Sequence, residues 1–191
     1  MSFQSVTPEN ETPESAGGID PTRLEQFMNE IKSKQSLPMA VLGGLIASLV
    51  AALLWAIITY VTHFQIGFMA IGVGFLVGFA VNYFGKGITT TFGIVGAAFS
   101  LFGCIFGNIL TSIIAASLDA GVPFFTIATA FLSNPTLIVE LLKETFSPID
   151  LLFYAIAVYE GYRFSFRQIT EDEIAHLQRS QIPPPPAENQ I

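Results

Sequence analysis

The sequence predicts an all-α membrane protein: a four-helix transmembrane bundle with short amphipathic or interfacial helices and disordered termini. Residues 35–85 contain no Asp, Glu, Lys or Arg over 51 consecutive positions, which a soluble domain does not tolerate easily. Only 12% of the residues are charged, against about a quarter in soluble domains. The chain also holds 18 Phe and 16 Gly residues, a pairing typical of helices that pack closely and present bulk to lipid.

The N-terminal part of the chain predicts a polar tail followed by one short helix. Residues 1–18 are rich in Ser, Glu, Pro, Thr and Gly and have few apolar side chains, so we expect them to be disordered. Asp20 and Pro21 then supply an N-cap acceptor and a first-turn proline. Apolar side chains follow at helical spacing at Leu24, Phe27, Met28 and Ile31. We therefore expect an amphipathic cytoplasmic helix within residues 19–36, which lies on the membrane surface or docks to a partner.

The transmembrane domain is predicted over residues 37–168. A helix needs about 20 apolar residues to cross a hydrocarbon core of about 30 Å. Three uncharged stretches meet that length, at residues 39–62, 65–84 and 90–116. Only the residues around His63 separate the first two stretches, so we expect them to form an antiparallel hairpin.

Shorter helices are predicted after the third span. Residues 122–133 are apolar, but a dozen residues cover only about 18 Å, so this helix should be re-entrant or interfacial. Asn134 and Pro135 begin a second short helix, residues 135–146, whose apolar residues line one face. That helix should lie at the membrane interface.

A fourth span is predicted over residues 148–166, beginning with Pro148 in the first turn. Its uncharged part is short, so hydropathy alone supports it less than it supports the first three. Thr170 and Glu173 then form a capping box. Residues 169–191 should contain a cytoplasmic C-terminal helix and a Pro-rich tail.

The basic residues predict the orientation, because Lys and Arg in short loops favour the cytoplasmic side. With four spans, seven of the eight basic residues fall on one side, and only Lys143 falls on the other. Without the fourth crossing each side would hold four, and the bias would vanish. We therefore expect a multi-pass protein of the plasma membrane with both termini in the cytoplasm.

Small residues recur every four positions on the first three spans, a pattern that marks faces where helices in lipid approach closely. The candidate helix-packing residues are Gly44, Ser48, Ala52, Ala70, Gly74, Gly78, Asn82, Gly96, Ser100, Gly103 and Gly107. Two alternatives stay open. The faces hold together a tight monomeric bundle, or one of them is left for a partner subunit.

The sequence offers no catalytic constellation, cofactor motif or metal-ligand spacing. It also lacks the basic stripe of a nucleic-acid-binding protein, so we expect no nucleic-acid partner. Apart from Asp150 in the first turn of the fourth span, Glu160 is the one carboxylate inside a predicted span, and Arg163 lies three residues later. We favour a structural ion pair between them over a role in transport or signalling.

A segment covering the first two spans resembles part of small, uncharacterised bacterial multi-pass membrane proteins. It reads W-A-I-I-T-Y at residues 55–60 and I-G-F-M-A-I-G-V-G at residues 66–74, with Gly78 following. In those proteins it is often joined to cytoplasmic segments such as zinc ribbons, whose cysteines this chain lacks. The resemblance implies the bacterial inner membrane and implies no activity.

Two functions remain in competition. The absence of charge in the first three spans and the polar helices at both ends favour a non-enzymatic scaffold or accessory subunit of a membrane complex. The glycine-rich hairpin and the short apolar helix favour a small oligomeric channel or transporter. The expected partners are the lipid bilayer and either other membrane subunits or a second copy of the chain.

Overall fold

The computed structural model describes residues 21–62, 68–145 and 148–179, and these contain eight α-helices and no strand. The all-helical class predicted from the sequence is confirmed. The helices are α1 Pro21–Ser33, α2 Leu37–Thr62, α3 Met69–Gly85, α4 Thr90–Ala120, α5 Phe124–Ser133, α6 Pro135–Thr145, α7 Pro148–Phe164 and α8 Glu171–Arg179.

Several sequence predictions fall outside the described residues. They are the disordered tail at residues 1–18, the cap at Asp20, the turn at His63, and the Pro-rich tail after Arg179.

The chain divides into two units, of which the larger is Ile31–Gln168. In it, α3 and α4 pack against each other, and each of them also packs against both α2 and α7. The short helices α5 and α6 contact α4 and each other. The centre of this unit is therefore built by α3 and α4, with α2 and α7 packed around them.

The four main helices of this unit, α2, α3, α4 and α7, run between two ends. Successive helices point in opposite directions. Lys34, just before α2, lines one cleft together with Lys86 after α3 and Arg167 after α7. Thr59 near the end of α2 and Asp119 near the end of α4 line a cavity at the opposite end. The chain thus passes along the bundle four times, and α2 and α3 are antiparallel, as expected for a hairpin.

The long helices have small residues inside and large apolar residues outside, and α2 shows this most clearly. Buried pairs such as Gly43-Gly44, Ala47-Ser48 and Ala51-Ala52 alternate with exposed pairs such as Leu45-Ile46 and Leu49-Val50. By length and composition, α2 (26 residues) and α4 (31 residues) are able to cross a membrane.

Several helix ends differ from the sequence prediction, and those of α4 and α7 are the clearest. The third predicted span ended at residue 116, but α4 continues to Ala120 and is capped by Gly121 in the left-handed region, at φ 64°. The fourth was predicted to reach residue 166, but α7 ends at Phe164. The backbone after it turns away because the Arg167 N–H donates to the Gly87 carbonyl, at 2.8 Å, rather than to its own helix.

The smaller unit contains most of α1 and all of α8. α8 follows the predicted capping box: the Glu173 carboxylate accepts a hydrogen bond from the Thr170 N–H, at 3.1 Å. Acidic residues fill its first turn, where the helix dipole favours negative charge.

Candidate functional site

A basic cleft at one end of the bundle is the strongest candidate site in the described part of the chain. Its volume is about 630 Å3. It is lined by Lys34, Asn82, Tyr83, Phe84, Lys86 and Arg167. Three residues with cationic side chains, from three separate segments, therefore line one opening.

Backbone hydrogen bonds hold these three segments together. The Ser36 N–H donates to the Gly85 carbonyl at 3.0 Å, which ties the start of α2 to the end of α3. The Arg167 N–H donates to the Gly87 carbonyl at 2.8 Å, which ties the segment after α7 to the same loop. The cleft is thus a fixed product of the fold and not a chance meeting of long side chains.

Asn82 lines the cleft and connects two of its segments. Its side-chain amide donates to the Phe166 carbonyl at 2.9 Å, across 84 positions of sequence. Its backbone carbonyl accepts the Lys86 N–H at 2.8 Å. One residue of α3 therefore orients both the α3–α4 loop that carries Lys86 and the segment that carries Arg167.

Lys86 has a backbone conformation that glycine normally takes. It caps α3 in the left-handed region with φ 50° and ψ 33°, and among the described residues no other non-glycine has a positive φ. A bulky residue there costs roughly 1 kcal/mol. Glycines flank Lys86 on both sides, yet the lysine occupies the position that demands the unusual φ.

Aromatic side chains border the cleft. Tyr83 and Phe84 are 66% and 50% exposed, and their rings pack edge to face at 5.2 Å between centroids. From Tyr83 a row of rings continues along the outer face of α3 through Phe79 and Phe75, at 6.4 and 6.3 Å. The charged opening is therefore continuous with an exposed aromatic surface.

The candidate helix-packing residues of α3 face α7. A Cβ built on Gly74 would lie 2.5 Å from the Ala157 carbonyl oxygen, and one on Gly78 would lie 3.0 Å from the Gly161 carbonyl oxygen. The first distance is shorter than real Cβ contacts and the second is tighter than most of them, so each glycine allows the two backbones to approach closely. The densest small-residue face of the hairpin is thus occupied within the chain.

The other candidate packing residues also lie at contacts within the chain. Gly96 and Ser100 of α4 face Gly161 of α7. Gly44 faces α3 and α4 through the side chains of Val81 and Phe99. Of the remainder, Gly103 faces Val73 and Ser48, Gly107 faces Trp55 and Ala52, and Ala70 is fully buried in the core.

Two of the polar residues inside the bundle join segments that are distant in sequence. Besides the Asn82 bond, the Asn108 side-chain amide of α4 hydrogen-bonds the Tyr154 hydroxyl of α7. Thr111 instead donates to the Gly107 carbonyl of its own helix, at 2.9 Å. The hydroxyls of Thr59 and Ser100 are buried and have no hydrogen-bond partner among the described residues.

The second cavity, of about 450 Å3, lies at the opposite end of the bundle. It is lined by Thr59, Tyr60, Thr111, Ile114, Ala115, Leu118 and Asp119. This lining is mostly apolar and has one carboxylate, so it differs in charge from the basic cleft. No group of three or more His, Cys, Asp or Glu side chains that could hold a metal ion was found among the described residues.

Glu160 and Arg163 both lie near the end of α7. Glu160 is half-buried and Arg163 is exposed. The guanidinium carbon of Arg163 is 5.9 Å from the centroid of the Phe164 ring, within the range of a cation–π contact. The ion pair between Glu160 and Arg163 stays a prediction.

Comparison of the chain with protein-family models, with curated proteins and with solved structures found no match.

Sequence reasoning used Lys34, Lys86 and Arg167 only to predict orientation and did not identify the cleft. The available signal was their position, since each follows or precedes a long apolar helix at the same end of the predicted topology. That pattern places the three residues at one level of the bundle. It does not bring them to one opening, which depends on the lateral order of α2, α3 and α7.

Proposed function

We propose that this protein is a non-enzymatic membrane protein that crosses the bilayer four times, through α2, α3, α4 and α7. The outward-facing large apolar residues support this most directly. Leu42, Ile46, Leu53 and Ile57 on α2 are each about half exposed, as are Phe75 and Phe79 on α3. Soluble proteins rarely expose contiguous apolar surface of this extent, whereas lipid covers it at no cost.

The lengths of α3 and α7, the two shorter of these four helices, are consistent with the same placement in a membrane. With 17 residues each, α3 and α7 are about 26 Å long, slightly less than the hydrocarbon core of about 30 Å. Both run between the same two ends as α2 and α4. Any bilayer that surrounds the longer pair would therefore also surround the shorter pair.

The proposed orientation puts the basic cleft and both termini in the cytoplasm. Three of the seven basic residues assigned to that side line the one cleft, in keeping with the preference of Lys and Arg for the cytoplasmic side. The bacterial inner membrane is the proposed location, since the hairpin segment resembles proteins of that membrane.

A scaffold or accessory subunit is the role that these features support best. Val77, Val81, Cys104, Ser48 and Ser100 are fully buried at the centre of the bundle. The interior of one copy is therefore filled with side chains. Because the small-residue faces are used inside the chain, contact with other membrane subunits would use the large apolar side chains on the outside.

Copurification from native membranes in a mild detergent tests this role. We expect a second membrane protein to be recovered in constant ratio to the chain, and to be absent when an unrelated multi-pass protein is purified in parallel. If repeated purifications return the chain alone, the scaffold role is wrong.

An oligomeric channel or transporter is the second candidate, with its path between copies of the chain. The cavity of about 450 Å3 near Asp119 is the observation that favours it. Purified protein in liposomes should then pass ions or small solutes, and no flux across a broad panel would exclude this function.

A further inference from the structure

We propose that the basic cleft binds the phosphate of an anionic phospholipid headgroup from the cytoplasmic leaflet. This inference rests on the proposed placement of the four helices in a membrane. The ligand chemistry is a phosphate that carries net negative charge, which a lipid headgroup or a soluble phosphate could supply.

The first argument is the concentration of positive charge in a preformed cleft. Folding brings Lys34, Lys86 and Arg167 from three segments to one opening, and backbone hydrogen bonds at Gly85 and Gly87 keep those segments together. An anion in the cleft would accept hydrogen bonds from ammonium and guanidinium groups, which phosphate oxygens suit well.

The second argument is the backbone at Lys86. Its φ of 50° suits glycine, so a lysine there carries conformational strain that no buried contact of its exposed side chain explains. Binding of an anion in the cleft would give the cationic side chain at that position a function.

The third argument separates a lipid from a soluble phosphate. The rim residues Tyr83 and Phe84 are exposed beside the cleft, and aromatic residues of this kind favour the headgroup level of a bilayer. The exposed rings of Phe79 and Phe75 continue from the rim along α3. A lipid whose phosphate sits in the cleft would lay an acyl chain along these rings, whereas a soluble phosphate would not use them.

The cleft also lies on the side where anionic lipids are available. The cytoplasmic leaflet carries negative surface charge, and basic pockets between membrane helices on that side bind anionic headgroups. The charge of the cleft and the proposed orientation of the bundle are therefore consistent with the same ligand.

Native mass spectrometry of the full chain in neutral detergent tests the proposal. The chain is titrated with phosphatidylglycerol and, in parallel, with phosphatidylcholine of the same acyl chains, which has a phosphate but no net charge. We expect tighter binding of phosphatidylglycerol. Equal binding of the two lipids would overturn the proposal.

The informative variant is Lys86→Gly, because glycine suits the left-handed backbone and so removes the cation without disturbing the fold. It should lower the affinity for phosphatidylglycerol roughly fivefold, the effect of about one cation near an anionic lipid. Lys34→Gln and Arg167→Gln should act in the same direction. Lys143→Gln, which removes an exposed cation outside the cleft, should leave the affinity unchanged; an equal loss in that control would overturn the proposed site.

Two further experiments complete the test. One identifies the source of the phosphate, and the other tests the membrane placement of the chain separately. If excess inorganic phosphate displaces the lipid from the wild-type chain, and Lys86→Gly abolishes phosphate binding, the ligand is a soluble phosphate and the lipid assignment is wrong. Flotation with vesicles and resistance to alkaline extraction test the membrane placement separately. Failure there overturns the placement and the lipid inference together, whereas successful flotation without lipid preference overturns the lipid inference alone.

Discussion

At the scale of single residues, the closest helix contacts depend on the absence of a side chain. Gly74 lies against the backbone of Ala157, and a Cβ there would come within 2.5 Å of its carbonyl oxygen. Gly72, two positions earlier in the same helix, has no atom within 4 Å of such a Cβ. The two glycines therefore form a matched pair that differs in packing but not in residue type or helix.

Replacing Gly74 with Leu should destabilise the protein by about 1–3 kcal/mol or more, because the Ala157 backbone cannot yield as a flexible side chain would. Gly72→Leu should leave stability within about 0.5 kcal/mol, or raise it slightly, since Leu favours a helix more than Gly does. Thermal unfolding of the purified variants in detergent measures both. Equal effects of the two substitutions would contradict the packing of α3 on α7.

Tyr154 supplies a second prediction at this scale, because its hydroxyl bonds the Asn108 amide of another helix. Tyr154→Phe removes that bond and keeps the ring, so we expect a loss of about 0.6 kcal/mol, with an upper limit near 1.7, as found for hydrogen bonds between membrane helices. Tyr159→Phe changes a ring of the same helix that is 56% exposed and should have no effect. Chemical unfolding in mixed micelles compares them, and a neutral Tyr154→Phe would show that this bond contributes nothing.

At the scale of helices, Asn82 is the connection between α3 and the segment after α7. Asn82→Ala removes the bond to the Phe166 carbonyl, a contribution of about 0.5–1.5 kcal/mol. The neighbouring Arg167 N–H, which bonds Gly87, should then exchange with deuterium roughly two- to tenfold faster. Asn134→Ala, at an exposed position between α5 and α6, should not change this rate; if it does so equally, Asn82 has no special role in holding the segment.

The helices could be predicted from the sequence largely because their determinants are local. Pro21, Pro135 and Pro148 each begin a helix where a first-turn proline is expected. The end of α7 could not be predicted this way, since it depends on Gly87, which is distant in sequence.

The candidate site was predicted less completely than the helices. The small-residue pattern identified which faces pack, because only small residues allow such close approach. It did not identify the partners: Gly74 and Gly78 face α7 and not α2, although α2 carries a matching pattern. Pairing depends on how all four helices fit together, and the cleft formed by Lys34, Lys86 and Arg167 depends on that same arrangement.

At the scale of the whole molecule, the two ends of the bundle differ in charge. Lys34, Lys86 and Arg167 meet at one end, and Asp119 lies at the other. In a membrane this asymmetry should fix the orientation, since each cation kept on the cytoplasmic side adds to the same bias. The proposed fourth crossing through α7 is the part of the topology on which that bias depends.

Single-cysteine labelling tests the orientation in a Cys104→Ala background, which removes the one native thiol. Asp119→Cys should react with a membrane-impermeant maleimide in cells whose outer envelope has been opened but whose inner membrane is intact. Thr170→Cys, just after α7, should react only once the inner membrane is permeabilised. Both positions are exposed, so a difference in labelling reports sidedness and not burial. If Thr170→Cys also reacts while the inner membrane is intact, α7 does not cross. Arg163, Arg167 and Arg179 would then lie outside, so the basic residues would no longer favour either side. The proposed cytoplasmic position of the cleft would then be wrong as well.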